Sequence, residues 1–346
     1  MDWPRVVRST AVLAAVLATA SYAAVLLIDP YDTVWFSPPL ERAATASNQR
    51  FSYPALARSE RFDSAVFGTS TTRLLQPAQL DGAIGGRFAN LSMNSGTAWE
   101  QSQLFEVFAR HHPNARTVVF GIDSVWCDVG DTYARLTPRP FPAWMYDRDR
   151  WNDLAYLFNL AALEETGRQL AWLTSLRPAK YGRDGYADFL PANAQYDLTR
   201  ARRNIYGAAE PAERKPAVAG NAEVDSPTDW RFPTHALMAE MLGRLPAATR
   251  KVLIFVPYHV HLQPPAGTAA AAQWAACKRR MVALAAGVEN AHVIDFMIES
   301  DITRRDENYW DGLHYRVEIA ERLSALIARA IRERRGATDL YAYLVE

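Results

Sequence analysis

The feature that most limits how this chain can fold is an unbroken apolar run, Ala11 to Ile28, which reads AVLAAVLATASYAAVLLI without one charge. A helix that is apolar on every face has no side to offer to water, so a buried core helix of an ordinary domain fits poorly. At 1.5 Å per residue the run covers about 27 Å, enough for the hydrocarbon core of a thin bilayer. Arg5 and Arg8 precede it and Asp29 follows it, and that asymmetry predicts a cytoplasmic N-terminal side with the remaining chain exported. Ala18-Thr19-Ala20 has the small-x-small form of a processing site, so a cleavable signal peptide is the competing reading. Because the apolar run continues through Ala23 to Ile28, a retained anchor is favoured, with residues 1–30 as anchor or signal segment and 31–346 as the folded body.

The body has an ordinary globular composition. Of 346 residues 49% are hydrophobic and 22% charged, which argues against a disordered, collagen-like or disulfide-scaffold protein. Thirty-eight Lys+Arg balance 38 Asp+Glu, leaving no net field for nucleic acid, and no basic stripe is interleaved with stacking aromatics. Cys127 and Cys277 could form one bridge, but nothing local sets their distance, and they read as two unpaired, small apolar residues.

Five short apolar runs read as strands: Ser64 to Phe67, Phe88 to Ser92, Thr117 to Gly121, Lys251 to Val256 and His292 to Phe296. Most are continuous rather than alternating, the pattern of parallel strands covered on both faces. Helical patterns lie between or after them at Trp99 to Arg110, Trp151 to Leu173, Ala269 to Leu284 and Val317 to Arg335. The alternation predicts an α/β fold, a three-layer α/β/α sandwich on a five-stranded, mainly parallel sheet, with ligands beyond the carboxyl ends of the strands.

A stretch from about 127 to 230 breaks the alternation and reads as an insertion. Its first part, FPAWMYDRDRWNDLAYLFN at 141–159, is dense in aromatic residues, explained most simply by packing of the inserted helix and otherwise by a platform for sugars. Its second part, EPAERKPAVAGNAEVDSPTDW, reads as a loop or lid.

Two segments carry candidate chemistry. The first strand ends in Gly68-Thr69-Ser70, followed by Thr71, Thr72 and Arg73. A serine just past a buried strand gains exposure and neighbouring backbone N–H donors, as a nucleophile requires, although a helix-capping hydroxyl explains the same position. Near the other end, Trp310-Asp311-Gly312-Leu313-His314-Tyr315 precedes an amphipathic helix. A serine hydroxyl needs a base, and an imidazole needs a carboxylate to set its tautomer and stabilise its charged form; Asp311 and His314 can supply both, or can merely cap and pack the helix.

These residues resemble the SGNH or GDSL-like serine hydrolases, which join a G-x-S after the first strand to a D-x-x-H before the last helix. The resemblance implies Ser70 as nucleophile, His314 as base and Asp311 as orienter, with no cofactor. It also implies an oxyanion hole, for which the Ser70 N–H, Gly96 after the second strand and Asn94 are the candidates. The family places an asparagine after its third strand, where this chain reads Gly121-Ile122-Asp123-Ser124. An ionised Asp123 would repel an oxyanion, so either it is protonated or another group takes that role. Loss of that asparagine resembles the membrane-anchored bacterial branch of alginate-type O-acetyltransferases. That likeness implies an inner-membrane, single-pass protein with a periplasmic domain and an acylated polysaccharide or acyl donor as partner, alongside other envelope polysaccharide proteins. The resemblance covers most of 60–127 and 250–335.

Asp123, His259 and Arg73 are further expected to line the substrate site. His259 and His261 would face one side if the fourth strand continued, which admits a metal pair, although no third ligand is evident and a metal-free site is expected. There is no G-x-S-x-G elbow, S-x-x-K pair, P-loop or G-x-G-x-x-G, which disfavours the commoner α/β-hydrolases, penicillin-binding enzymes, P-loop NTPases and dinucleotide oxidoreductases. The expectation is therefore an exported serine esterase or O-acyltransferase acting on a polysaccharide, and the rival is a non-catalytic carbohydrate-binding or assembly protein on the same fold.

Overall fold

A computed structural model describes residues 2–207, 230–336 and 338–345. The polar run expected to form a loop or lid lies, except for Trp230, outside the described residues. The chain divides into two compact units at places its sequence did not mark: 1–56 with 140–183, and 57–139 with 184–346.

The first unit begins with α1 (Trp3–Ile28), long and apolar enough to cross a membrane and almost unburied. Its C-terminal carbonyls, which no intrahelical donor can reach, are met by Arg42, whose Nε donates to the Ile28 and Asp29 oxygens at 3.1 and 2.8 Å. Asp29 is fully buried and accepts from the Thr33 and Val34 N–H groups, so the chain leaving α1 is folded back at once. Helix α2 (Gln49–Arg58) follows and runs across the boundary between the units.

The second unit is an α/β body whose elements run β1 (Ser64–Phe67), α3 (Pro77–Ile84), β2 (Phe88–Asn90), α4 (Ala98–His111) and β3 (Thr117–Ile122). The chain then returns to the first unit for α5 (Asn152–Tyr156) and α6 (Leu160–Leu173). The expected single helix over 151–173 is thus broken at 157–159, where Asn159 accepts from the Ala162 N–H and starts a new helix. Back in the second unit come α7 (Leu198–Tyr206), α8 (His235–Arg244), β4 (Arg250–Phe255), α9 (Ala269–Ala286), β5 (Ala291–Asp295), α10 (Val317–Glu333) and β6 (Ala342–Tyr343).

The sheet order is β2-β1-β3-β4-β5-β6. The first five strands are parallel and lie where the apolar runs predicted them, buried along nearly their whole length. The sheet is nonetheless six-stranded and mixed, because β6 pairs antiparallel with β5 through Ile294 and Asp295. Two residues are too few to show a strand periodicity, which is why the sequence predicted five. Helix α3 packs with α10, and α4 and α9 pack with α8.

A disulfide joins Cys127 to Cys277, with Cα atoms 5.5 Å apart. This corrects the expectation of unpaired cysteines: the segment after β3 and the helix before β5 are neighbours only in three dimensions. The bridge closes a 150-residue separation, and such long closures restrict the unfolded chain most.

Candidate active site

The strand order reverses around β1, with β2 on one side and β3 on the other, and an open α/β sheet forms its ligand crevice outside the carboxyl ends of such strands. Ser70 follows β1 and Asp123 follows β3, so both lie at the carboxyl ends of neighbouring strands. Thr72 shapes the turn between them. A Cβ on Gly68 or on Gly121 would collide with the Thr72 side chain, so the glycines of both motifs make room for one threonine.

His314 reaches Ser70 from the far end of the chain, its Nε2 lying 2.8 Å from the serine Oγ. Its Nδ1 lies 2.9 and 2.8 Å from the two Asp311 carboxylate oxygens. A carboxylate can only accept there, so Nδ1 carries the proton and Nε2 is left to accept from the serine hydroxyl. Burial opposes ionisation of Asp311, but the His314 ring and the Leu313 and His314 N–H groups outweigh it and hold the carboxyl below its usual range. Serine, imidazole and carboxylate therefore form the relay that acyl transfer needs.

Backbone geometry explains how a three-residue spacing does this. Tyr309 and Tyr315 form an isolated antiparallel bridge, and the Trp310 N–H donates to the His314 carbonyl, closing 309–315 into a tight loop. The buried Tyr315 hydroxyl donates to the Thr71 carbonyl at 2.8 Å, tying that loop to the turn carrying Ser70. The His259 N–H donates to the Gly312 carbonyl and holds the loop from the other side.

The remaining expected site residues divide. Arg73 and Asn94 come together, the Arg73 Nη1 donating to the Asn94 Oδ1 at 2.5 Å. The guanidinium lies 4.0 Å from the centre of the Phe189 ring, and that ring meets His314 edge-on at 5.4 Å. The Ser70 N–H has no acceptor among the described residues, as an oxyanion donor requires. The Gly96 N–H donates instead to the Met93 carbonyl at 3.0 Å in a turn, so the glycine expected in the oxyanion hole has its donor engaged.

Asp123 does not line an open surface. It is 2% exposed, accepts the Thr69 hydroxyl and caps the short turn after β3 through the Val125 N–H. Burial raises its pKa to about 6, and its hydrogen bonds only partly offset that. His259 is likewise buried: its Nε2 contacts Asp306 at 3.2 Å and its Nδ1 accepts the His261 N–H. Both ring nitrogens are engaged, which removes the two-histidine metal pair, and no group of three or more metal-ligating residues occurs among the described residues. Asp306 also accepts from the Arg202 Nε and the Tyr206 hydroxyl, at 2.8 and 2.7 Å.

Sequence reasoning missed Phe189 and the α7 residues that hold the 306–310 loop. Both lie in the stretch read as an insertion and carry no motif. A scan against protein-family models finds no match, and a search of curated proteins finds no related sequence.

Proposed function

We propose that this protein is a serine esterase or O-acyltransferase resembling the SGNH hydrolases, acting on acyl groups, acetyl above all, of an envelope or extracellular polysaccharide. The observation that carries the reading is the hydrogen-bonded Ser70, His314 and Asp311 relay, built from segments 244 residues apart. Ser70 Oγ attacks the acyl carbonyl while His314 Nε2 takes its proton; the tetrahedral oxyanion is met by the Ser70 N–H, with Asn94 a further candidate. His314 returns the proton to the leaving alkoxide as the C–O bond breaks. It then deprotonates water or a sugar hydroxyl, whose attack releases the acyl group and restores Ser70. Two helix groups, α3 with α10 and α4 with α8 and α9, support a three-layer sandwich. The apolar α1 supports single-pass anchoring in a bacterial inner membrane, with the α/β body in the periplasm.

The test is fluorophosphonate labelling and turnover of a chromogenic acetyl ester by the detergent-solubilised chain. Both are expected, and both should vanish in Ser70→Ala; labelling or turnover that survives the substitution overturns the nucleophile assignment. A second reading, a non-catalytic carbohydrate-binding module, is favoured by the engaged Gly96 N–H and by a carboxylate where the family has an amide. It requires a wild-type chain that retains polysaccharide and takes no label.

A further inference from the structure

Helix α6 buries polar side chains and exposes leucines. The side chains it buries are Ala162, Glu165, Thr166 and Gln169. Glu165 accepts the Thr45 hydroxyl and pairs with Arg168, while Gln169 accepts from the Ala43 N–H and donates to the Ala43 carbonyl. Leu160, Leu163 and Leu170 project along one flank away from these, with Leu160 83% accessible, and Glu164 is exposed beside Leu160, paired with Arg168. A helix bordering only water turns its leucines inward and buries few polar side chains.

The surroundings say what covers this face. The start of α6 packs along the last turns of α1, where Ala18, Tyr22 and Val25 share a cleft with Phe158, Leu160 and Leu163. The Tyr22 hydroxyl donates to the Leu154 carbonyl at 2.6 Å, and Gln169 reaches the Pro30 carbonyl, so α6 rises alongside the end of α1. A 26-residue helix is about 39 Å long, more than the roughly 30 Å of hydrocarbon it must cross, so its last turns pass through the interface. Trp151 and Phe158, 72% and 64% accessible, flank the leucines, and exposed aromatic rings belong at that depth. The Asp147-Arg148-Asp149-Arg150 stretch beside them has no net charge, which points to apolar contact rather than attraction to anionic headgroups.

We infer that the 151–173 segment is a second membrane-contacting element, with the Leu160, Leu163 and Leu170 flank of α6 immersed in the leaflet into which the C-terminal end of α1 emerges. The inference rests on α1 crossing the bilayer, and the experiment separates the two. Because the native cysteines are joined, an introduced cysteine is the one free thiol among the described residues. The full chain is reconstituted in phosphatidylcholine vesicles with a nitroxide on Leu160→Cys, on Val16→Cys in α1, or on Glu321→Cys in α10. Collision with oxygen and with a water-soluble nickel chelate is then read at each site. Leu160 and Val16 should both favour oxygen by tenfold or more relative to Glu321. A water-like Leu160 beside a lipid-like Val16 overturns the second contact and leaves the anchor standing; it is also the result a sugar platform would produce. Water-like readings at both overturn the anchor and the inference together. Quenching by brominated lipid gives an independent readout: Trp151→Phe should remove a quenched component from the emission, and an unchanged quenched fraction overturns the placement of that segment.

Discussion

Helices α6 and α10, of 14 and 17 residues, answer the same physical problem in opposite ways. In the α/β unit, α10 buries Ile319, Leu323, Leu326 and Ile327 and leaves Glu321, Arg322 and Arg329 outside. In the unit that begins with α1, α6 buries a carboxylate and an amide and leaves Leu160, Leu163 and Leu170 outside beside Glu164. Burying a leucine is worth about 1.5–3 kcal/mol when the alternative is water, and far less when the alternative is lipid. With α6 against lipid, as inferred above, amphipathicity fixes which residues share a face, while the medium decides which face turns inward. On the readings proposed above, the two units divide the labour, with chemistry in one and attachment in the other.

Four tests break or sharpen that contrast. Ser70→Ala should lower acetyl-ester turnover by about 10,000-fold or more, the scale on which loss of a nucleophile acts, without moving the nitroxide reading at Leu160. A change at Leu160 would mean the units do not divide attachment from chemistry. Next, Leu323→Ala should cost about 3 kcal/mol in denaturant unfolding because it opens a cavity in a packed core. Leu160→Ala should change the stability of the solubilised chain by less than about 0.5 kcal/mol, as an exposed site does. Equal losses would place α6 in a core like that of α10.

The third concerns a buried carboxylate of the α/β unit. Asp123 has an ordinary value of 3.8 and about 6 in the folded protein, so between these values the folded state holds a proton that the unfolded chain has lost. Its contribution is therefore complete below about pH 4 and lost as pH rises through 6, by about 3 kcal/mol in all. Asp123→Asn should track the parent near pH 4 and become progressively more stable relative to it by pH 7. A difference that stays flat with pH removes the burial argument. The smallest effect tests what the units share. Thr97, which caps α4 in a reciprocal box with Glu100, and Asn159, which caps α6, should each cost about 1 kcal/mol when replaced by alanine, since unpaired helix N–H groups are the same in either surrounding.

The five parallel strands were legible because doubly covered strands leave continuous apolar runs, and the apolar helix because no charge interrupts it. That Ser70, Asp311 and His314 meet was legible because the resemblance pairs those residue types and because one short loop joins the last two. Gly68 and Gly121 stood in the same motifs, but their shared partner Thr72 did not show. The sequence could not reveal that Gly96 spends its N–H on Met93, because backbone hydrogen bonds in turns depend on dihedral angles and not on residue type. Nor could it reveal that Asp123 and His259 are buried, because a polar residue after a strand reads alike whether it faces a crevice or a neighbouring hydroxyl.

What the sequence determined by itself was local: periodicity, charge placement and which candidate serine, histidine and aspartate to look for. Tertiary structure alone decided the Cys127 to Cys277 bridge, the Phe189 contact with His314, the two-residue sixth strand and the outward leucines of α6. The physical reason is common to all four. Each depends on which distant surfaces meet, and that is settled by the burial of the whole chain rather than by the pattern within any one segment.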